Sequence, residues 1–483
     1  MSNEPTSLDP ADWTGLRALG HRMLERVIDR LATLRDAPVW RPMPSAIRAR
    51  FEAPVPRSGI GAEAAYQSFL ETIEPYGSGN PHPRFLGWVQ GGGNPVALLS
   101  ALLEAGLNEN CGGRDHVGLA VERQVIAWSA RLLGLPDSTG GLLVTGSSMA
   151  NFIALLCARR QHLGASVRTK GVDGAKLVGY AQTGVHRCVP GAFDMAGIGS
   201  DALRRIPTDA EHRLDCAALE ARIIADRAAG YAPFLIVATA GTVDVGAIDP
   251  LHHLADLAAR YGLWLHVDAA FAALAATSPN RASLLAGIER ADSVAFDFHK
   301  WAQVQYDCGC VLVRDQAHMQ DSFAQNAAYL SAEPRGLAGG APWPCDLGPD
   351  LSRSFRALKI WMTLQSYGTD ALGAVVDRTC ALATHLANLI DATPHLTRLA
   401  PAALNIVCFR YDDGADDLDA LNGEIIADIQ ESGEFVVSST LIGGQRAIRA
   451  AFVNHRTTEA DATDLVAAIL KAAASRRAIS HDQ

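Results

Sequence analysis

Lysine is scarce in this sequence of 483 residues, because only five of its 42 Lys and Arg residues are lysines. No long run of basic residues occurs, and 52 Asp and Glu residues give the chain a net charge of −10. Proteins that bind nucleic acid neutralise its phosphates with clustered Lys and Arg side chains. We therefore expect no nucleic acid partner.

Long apolar runs and a regular cysteine pattern are also missing. No uninterrupted apolar stretch approaches the roughly 18 residues of a membrane-spanning helix, and residues 1–10 are polar and lack the apolar centre of a signal peptide. The nine cysteines are odd in number and irregularly spaced, which does not describe a disulfide framework. We expect reduced thiols and a cytoplasmic protein that is not bound to a membrane.

The composition that remains is that of a large globular protein. Hydrophobic residues make up 48% of the chain and charged residues 19%, and the length suffices for two or three domains. Apolar residues recur at helical spacing over residues 13–34 with little nearby to cover them. We predict an N-terminal helical segment over residues 1–85 that packs on a partner subunit, a large domain over 86–371 and a small domain over 372–483.

Short apolar strands alternate with helical patterns in the middle of the chain. This alternation predicts an α/β fold whose mainly parallel sheet has helices on both faces. Ten residues separate the last two predicted strands, too few for a helical crossover, so the last strand should pair antiparallel. The predicted strands cover residues 142–145, 177–181, 234–239, 263–268, 294–298 and 309–313. A long helix over 351–367 precedes a C-terminal part with the order helix, strand, helix, strand.

Lys300 ends one of these apolar strands, in the sequence VAFDFHKW of residues 294–301. The other lysines, including Lys359, are expected on polar loops or helix faces. An ammonium is costly to desolvate, but a primary amine can form an imine with an aldehyde, which a guanidinium cannot. The alternative is a lysine whose stem follows the strand end and whose ammonium reaches solvent.

Asp268 ends the preceding strand, 32 residues before Lys300. This spacing is that of one strand, helix, strand unit, so both side chains should lie at the carboxyl edge of the sheet, where ligands bind. A carboxylate that keeps a pyridinium protonated and a lysine that holds an aldehyde carbon are what a pyridoxal cofactor requires. The alternative is an Asp that caps the next helix.

Two further features are expected at this edge. Gly146, Ser147 and Ser148 lie between a strand and a helix, where backbone N–H groups and hydroxyls can bind a phosphate. His186 follows the strand over 177–181 and could stack on a planar ring and move a proton. Alone, the serines would be read as a helix cap and the histidine as structural.

Together these residues resemble the group II pyridoxal-phosphate-dependent decarboxylases, which include aromatic-L-amino-acid, histidine and glutamate decarboxylases. The resemblance extends over residues 16–458. It implies a fold type I enzyme, pyridoxal 5'-phosphate as cofactor and a homodimer with active sites at the subunit interface. The segments that carry it are 145–151, 266–270 (HVDAA), 292–301, 306–308 and 353–361.

The resemblance also implies roles for single residues. Lys300 would bind the cofactor aldehyde, Asp268 would face the ring nitrogen, His186 would stack on the ring and Ala270 would pack against it. No metal is expected. The predicted cofactor-binding residues are Ser147, Ser148, His186, Thr242, Asp268, Ala270, Asp297, His299 and Lys300.

The resemblance places Tyr329 in a mobile loop over residues 323–344, whose glycines suit a lid. In the family, a tyrosine at this place reaches the bound substrate, and loss of its hydroxyl is associated with aldehyde-forming chemistry. We expect Tyr329 to protonate the substrate Cα, relayed through His186. The predicted catalytic residues are therefore Lys300, His186 and Tyr329, and the expected products are an amine and CO₂.

Three positions depart from the family pattern. Val243 replaces a threonine after Thr242, Asp297 replaces an asparagine near the cofactor, and Gln90 stands where a threonine is common in aromatic decarboxylases. Contacts that those side chains make in the family are not expected to be the same here.

The substrate class is left open between two readings. Phe85 and Trp88 offer an aromatic mouth and favour an aromatic L-amino acid, whereas Arg84 and Arg114 could clamp the distal carboxylate of aspartate or glutamate. An aminotransferase, a lyase or an aldehyde-forming enzyme of the same fold would share Lys300 and Asp268.

The alternatives to an enzyme of this kind are a zinc protein and a non-enzymatic binding protein. A zinc site at His299, Cys308 and Cys310, or at His252 and His253, fits no usual tetrahedral spacing. A non-enzymatic binding protein would leave Lys300 at the end of an apolar strand without a role.

Overall fold

The structure, a computed structural model, describes residues 7–325 and 333–481, with the backbone alone for 479–481. These residues contain eleven strands and fourteen α-helices. The strands are β1 (Gly140–Val144), β2 (Leu177–Gln182), β3 (Leu203–Ile206), β4 (Ala232–Thr239), β5 (Trp264–Asp268), β6 (Ser293–Asp297), β7 (Gly309–Val313), β8 (Leu396–Arg398), β9 (Ile406–Tyr411), β10 (Ser438–Ile442) and β11 (Gln445–Ala451).

The helices lie before β1, between several of the strands and after β11. They are α1 (Trp13–Ala32), α2 (Ser45–Arg50), α3 (Ala62–Thr72), α4 (Pro95–Leu107), α5 (Val117–Leu132), α6 (Ser147–Leu163), α7 (Val167–Lys170), α8 (Cys188–Met195), α9 (Cys216–Ala228), α10 (Leu251–Tyr261), α11 (Gln316–Phe323), α12 (Arg356–Ala392), α13 (Leu418–Glu431) and α14 (Glu459–His481). Among the described residues, none of these helices has both the length and the apolar character to cross a membrane.

The central sheet has seven strands in the order β1-β7-β6-β5-β4-β2-β3. Strands β2, β3, β4, β5 and β6 pair parallel, and β7 pairs antiparallel with both β6 and β1. The predicted antiparallel last strand is therefore confirmed. Since β7 is reversed relative to both neighbours, β1 runs in the direction of β6, and its carboxyl end lies at the same edge as those of the parallel strands.

Side chains on the two sides of the central sheet enter two apolar cores. In β4, Ile236 belongs to one core and Leu235 to the other, because successive side chains of a strand point to opposite faces. Helices α5, α9, α10 and α12 cover the first core, and α6 and α8 cover the second. This confirms the predicted fold class, a mainly parallel sheet with helices on both faces.

The C-terminal part forms a second sheet in the order β10-β11-β9-β8, which is antiparallel throughout. Helix α12 connects the two sheets and contains one non-helical residue, Gly368, whose φ of 71° lies in the left-handed region that glycine tolerates. The predicted boundary between 371 and 372 lies on this helix just after Gly368. The division into three domains stays a prediction.

Two predictions about the elements were wrong in detail. The helix predicted over 351–367 begins at Arg356, because the backbone N–H of Arg353 donates to Asn110 and its carbonyl accepts from Cys111, which holds the preceding segment in a loop. Strand β3 was missed because it has four residues and two of them, Arg204 and Arg205, are charged.

Candidate active site

Polar residues lie at the carboxyl ends of five strands of the central sheet, all at the same edge. Ser147 follows β1, His186 follows β2, Thr242 follows β4, Asp268 ends β5, and Lys300 follows β6. The carboxyl ends of strands running in the same direction meet there, and ligands of open α/β sheets bind at this edge. The structure therefore brings these five sequence-predicted residues to one edge of the sheet.

Asp268 is buried at the end of β5. Its carboxylate accepts hydrogen bonds from the side-chain amide of Asn151 at 3.1 Å and from the backbone N–H of Ala270 at 3.1 Å. Burial raises the pKa of Asp268, while the nearby charges of Lys300 and His186 oppose this rise. A cation placed beside this carboxylate would keep it ionised.

A chain of buried hydrogen bonds leads to Asp268 from the sheet. The indole N–H of Trp264 donates to the Ser293 hydroxyl at 2.8 Å, and this hydroxyl lies 2.8 Å from Nδ1 of His266. Nε2 of His266 lies 2.5 Å from Oδ1 of Asn151, whose amide nitrogen faces Asp268.

The donor and acceptor of each hydrogen bond between Trp264 and Asp268 follow from the groups at the two ends of this series. A carboxylate can only accept, so Asn151 must turn its NH₂ group to Asp268 and its oxygen to His266. His266 then carries its proton on Nε2 and accepts from Ser293 at Nδ1. Burial lowers the pKa of His266 to about 3, so the ring is neutral, as this arrangement requires.

Lys300 and Asp297 form an ion pair beside the first turn of α6. Nζ of Lys300 lies 2.9 Å from Oδ2 of Asp297. The Asp297 carboxylate also accepts from the backbone N–H of Ser147 at 2.6 Å and from its hydroxyl at 2.8 Å. Backbone N–H groups at the start of a helix favour an anion, and here that anion is the Asp297 carboxylate. Asp297 in turn holds the amine of Lys300 beside the start of α6.

His299 lies between this ion pair and Tyr306. Its Nδ1 accepts from the backbone N–H of Cys308 at 3.1 Å, its Nε2 lies 3.6 Å from Asp297, and its ring centroid lies 4.1 Å from that of Tyr306. Desolvation lowers the pKa of His299, and the Asp297 carboxylate opposes this. The neutral ring carries its proton on Nε2, which points toward Asp297.

His186 lies next to Cys188 at the start of α8. Its Nδ1 is 3.0 Å from Sγ of Cys188 and accepts from the backbone N–H of Cys188 at 3.3 Å. The amide of Asn151 donates to the same sulfur at 3.2 Å. Burial raises the pKa of Cys188 to about 12, so it is a thiol that donates to His186 rather than a nucleophile.

The remaining predicted cofactor residues have less specific contacts. Ser148 is exposed in the first turn of α6, and Ala270 is half-buried beside Asp268. The Thr242 hydroxyl accepts from the backbone N–H of Ala247 at 3.0 Å and so supports a turn after β4. Among the described residues, no hydrogen bond joins Thr242 to another predicted site residue.

Two glycines let backbone segments come close to the site. A Cβ at Gly309 would lie 2.4 Å from Gly146, which precedes α6, and a Cβ at Gly91 would lie 2.3 Å from the carbonyl of Lys300. The N–H of Gly91 donates to the carbonyl of His299 at 3.2 Å. A side chain at Gly309 would push β7 away from the segment before Ser147, and a side chain at Gly91 would push its own segment away from Lys300.

The structure does not describe one predicted site residue, Tyr329, and it places Lys359 differently from the prediction. Tyr329 lies outside the described residues. Lys359, expected on a polar loop or helix face, is instead buried on α12, because its Nζ reaches the carbonyl of Tyr306 at 3.5 Å and lies 3.8 Å from Glu104. Lys359 is therefore more deeply buried than Lys300, but the amine of Lys300 is the one placed at the carboxyl edge of the sheet.

Four residues of the site were not singled out from the sequence, namely Asn151, Cys188, His266 and Tyr306. Two of them carried a usable signal. Asn151 follows Ser147 by one helical turn and shares its face of α6, and His266 precedes Asp268 by two residues and shares its face of β5. Their contacts with each other depend on how α6 packs on the sheet.

The zinc alternative finds no support in the geometry. Across residues 7–325 and 333–481, no group of three His, Cys, Asp or Glu side chains is arranged to hold a metal ion. Each of the nine cysteines has a free thiol. Cys308 and Cys310 lie in the apolar core, and burial raises the pKa of both thiols.

The donor set fits a pyridoxal phosphate cofactor. A primary amine, a buried carboxylate on a neighbouring strand and a helix N-terminus with a serine hydroxyl lie at one edge of the sheet. They match, in chemical type, the aldehyde, ring nitrogen and phosphate of that cofactor.

Comparisons with known proteins agree with this chemistry. Residues 44–412 match the family described as the pyridoxal-dependent decarboxylase conserved domain. The chain is 30% identical over 478 residues to an aromatic-L-amino-acid decarboxylase of Bacillus atrophaeus, covering 96% of this chain and 97% of the relative. It is 28% identical over 462 residues to a phenylacetaldehyde synthase of Arabidopsis thaliana, covering 92% and 93%.

A solved structure supports the same assignment. The crystal structure of Oryza sativa TDC with PLP and tryptamine superposes with a TM-score of 0.90 at 26% identity, covering 97% of this chain and all of that chain. The fold predicted from the sequence, fold type I of the pyridoxal phosphate enzymes, is thereby confirmed. Because the family match covers residues 44–412, which is most of this chain, the chain belongs to the pyridoxal-dependent decarboxylase family.

Proposed function

We propose that this protein decarboxylates an aromatic L-amino acid to the corresponding amine and CO₂ with pyridoxal 5'-phosphate as cofactor. The observation that carries the proposal is the placement of the Lys300 amine and the Asp268 carboxylate at the ends of two adjacent parallel strands. When bound, the cofactor supplies an aldehyde that binds amines and a pyridinium ring that accepts the electron pair left at Cα when CO₂ departs.

Each polar group of the site has a proposed task. Lys300 provides the amine for the aldehyde, and Asp268, oriented by Asn151, accepts the N–H of the ring nitrogen and keeps that nitrogen charged. Ser147 and Ser148 at the start of α6 and the Nε2–H of His299 bind the phosphate. Ala270 packs against the ring and Thr242 supports the turn beside it.

His186 is proposed to stack on the ring and to hold a proton. Its Nδ1 accepts hydrogen bonds from Cys188, so the neutral ring carries its proton on Nε2. Desolvation lowers the pKa of His186, which keeps the ring neutral near pH 7. Tyr329, which lies outside the described residues, stays the proposed donor of the proton to Cα, with His186 as its relay.

The contacts of two arginines favour an aromatic over an acidic substrate. Arg84 pairs with Asp461 at 2.9 Å and with Asp464, and the guanidinium of Arg114 lies over the ring of Trp343 at 4.8 Å. Both are engaged and are poor clamps for a second carboxylate. Trp88, in contrast, is 53% exposed, and its ring lies 6.1 Å from that of buried Phe85.

The relatives differ in their products as well as in their substrates. They include decarboxylases and a phenylacetaldehyde synthase. Tyr329 favours the amine over the aldehyde, because its hydroxyl would protonate Cα before an oxidation could occur. The proposal therefore commits to amine and CO₂ in equal amounts.

A screen of the twenty amino acids, dihydroxyphenylalanine and 5-hydroxytryptophan tests this proposal. We expect CO₂ and an equimolar amine from at least one aromatic amino acid, and none from the Lys300→Ala control. CO₂ from aspartate or glutamate alone would overturn the aromatic assignment. A keto acid without CO₂ would overturn decarboxylation itself, and an aldehyde as main product would overturn the role given to Tyr329.

We further propose a homodimer in the cytoplasm. Helix α1 buries only Leu19 against its own chain, and it leaves Trp13 and Ile28 exposed. Helix α4 exposes Leu102 and Leu103. Large exposed apolar patches are typical of subunit interfaces. The cytoplasmic location is supported by the irregular, odd set of cysteines.

A further inference from the structure

The Asp297 carboxylate occupies the anion-binding end of the site. It is 2% exposed, and its two oxygens accept from the backbone N–H and the hydroxyl of Ser147 at 2.6 and 2.8 Å. These are the donors that the start of α6 offers to a phosphate. The protein therefore places its own negative charge where the negative charge of the cofactor is expected.

The sequence makes this placement unusual. The resemblance predicts an asparagine at this position, and an asparagine amide can donate a hydrogen bond to a phosphate. An ionised aspartate has no donor and repels a neighbouring anion. Either one of the two anions takes up a proton or the two oppose each other inside a buried site.

Within the described part of the chain, the one cation that pairs with Asp297 is the amine that the cofactor also requires. The ammonium of Lys300 lies 2.9 Å away, but the same amine is needed for the aldehyde. Desolvation lowers the pKa of His299 and His186 and raises the pKa of Tyr306 and Cys310, so all four groups are uncharged near pH 7. The titratable and charged groups that act on Asp297 are Lys300 and His299 after β6, Tyr306 and Cys310 at β7, and His186 after β2.

We propose that Asp297 couples cofactor binding to the uptake of one proton. The phosphate takes the donors of Ser147, the Asp297 carboxylate binds a proton from solvent, and the new O–H group donates to a phosphate oxygen. One O–H bond forms, and no bond of the phosphate breaks. This inference rests on the proposed function, because it requires a phosphate-bearing cofactor at this edge.

The sign of the pH dependence follows from this step. A binding reaction that takes up a proton weakens as the pH rises, by at most about tenfold per pH unit for one proton. Asparagine at position 297 carries its donor at every pH. The wild type and Asp297→Asn should therefore differ most at high pH and converge at low pH.

The test compares dissociation constants of the cofactor-free wild type and Asp297→Asn for two ligands between about pH 6 and pH 9. The ligands are pyridoxal phosphate and pyridoxal, which lacks the phosphate. We expect Asp297→Asn to bind pyridoxal phosphate at least about tenfold more tightly than wild type near pH 9, with a ratio that falls toward one as the pH is lowered. For pyridoxal, the ratio of the wild-type and Asp297→Asn dissociation constants should not change with pH.

Asp292→Asn is the matched control, because Asp292 precedes the opposite end of β6 and accepts from the backbone N–H of Leu265 at 2.8 Å. It should leave the pH dependence of wild type unchanged. A pH-independent ratio, or weaker binding by Asp297→Asn at every pH, would overturn the inference.

A second measurement needs no variant. Calorimetry in two buffers of different ionisation enthalpy counts the protons taken up by wild type, and pyridoxal phosphate should take up one more than pyridoxal near pH 8. An equal count would overturn the inference. If pyridoxal phosphate binds and leaves its label on Lys300 but shows no proton coupling, this inference fails and the proposed function stands. If it does not bind at all, both fail.

Discussion

At the level of single residues, the site is organised by three neutral histidines. His186, His266 and His299 each accept a hydrogen bond at Nδ1, from Cys188, Ser293 and the backbone of Cys308. Each ring therefore carries its proton on Nε2. His266 therefore donates from Nε2 to Asn151, and the Nε2–H of His299 points toward Asp297 at 3.6 Å.

Asn151 connects Asp268 to His266, because its amide donates to Asp268 and its oxygen accepts from His266. Asn151→Leu would remove the donor to Asp268 and leave the Nε2–H of His266 without its acceptor. An unpaired buried polar group costs about 1–3 kcal/mol. We expect urea unfolding to show a loss of this size, and we expect weaker binding of pyridoxal phosphate in a fluorescence titration.

A control separates orientation of Asp268 from loss of stability. Asn422 is fully buried in the C-terminal part and bonds to the backbone of Tyr411 and Leu418. Asn422→Leu should lower stability by a comparable amount and leave cofactor affinity unchanged. Equal cofactor affinities for the two variants would contradict the role given to Asn151.

At the level of elements, one buried ion pair holds the segment before α12. The guanidinium of Arg353 bonds to the Glu122 carboxylate on α5 and to the carbonyl of Leu143 in β1 at 2.7 Å. Glu122 also accepts from the N–H of Leu143 at 3.0 Å. The pair thus connects α12, α5 and the strand that leads to Ser147.

Arg353→Ala would leave the buried Glu122 carboxylate without its cation. Removing one partner of such a pair costs about 3–5 kcal/mol, and we expect this loss in urea unfolding. The half-exposed ion pair of Arg398 and Asp391 serves as the control for the buried pair of Arg353 and Glu122. Arg398→Ala should cost at most about 1 kcal/mol, and equal losses for the two variants would contradict the importance given to the buried pair.

A second ion pair makes the docking of the N-terminal segment sensitive to acid. Asp461 on α14 bonds to Arg35 and Arg84. Burial raises the pKa of Asp461, but hydrogen bonds from Arg35, Thr458 and Arg84 outweigh it and lower the pKa to about 2. In the unfolded chain this pKa is about 3.9.

The ionised Asp461 therefore contributes stability above about pH 4, of roughly 2 kcal/mol, which is lost as the pH falls toward 2. The stability difference between wild type and Asp461→Asn in urea should shrink from pH 6 to pH 3. The exposed control Asp391→Asn should show no such change. A difference for Asp461→Asn that is constant over this range would contradict the prediction.

The elements of the central sheet could be predicted because they are continuous apolar runs, which buried parallel strands require. Lys300 and Asp268 could be predicted because each breaks such a run at its carboxyl end. Asn151 and Cys188 could not, because their partners lie on other elements and are fixed only when α6 packs on the sheet. The start of α12 was misplaced for the same reason, since Arg353 is held by a distant carboxylate.

At the level of the whole molecule, the exposed apolar side chains of α1 and α4 predict a dimer. Leu102 on α4 is 60% exposed in the single chain. A glutamate there would be desolvated in both copies of a symmetric interface. We expect the wild type to sediment as a dimer. The dissociation constant of the Leu102→Glu dimer should be at least about tenfold higher than that of the wild-type dimer.

Leu441→Glu is the control for a general effect of added charge. Leu441 is 65% exposed on β10 of the C-terminal sheet, whereas α1 and α4 precede the central sheet in the sequence. This variant should sediment like the wild type. A wild type that is monomeric, or a Leu102→Glu variant that dimerises as tightly as Leu441→Glu, would contradict the predicted interface.

The most direct measurement is the identification of the lysine that binds the cofactor. Reduction of the holoprotein with borohydride and peptide mapping would locate the label among five lysines, of which Lys359 is buried and Lys300 is half-buried. The arrangement of Lys300, Asp268 and Ser147 predicts the label on Lys300 alone. A label on Lys359 or any other lysine, or no label, would contradict it.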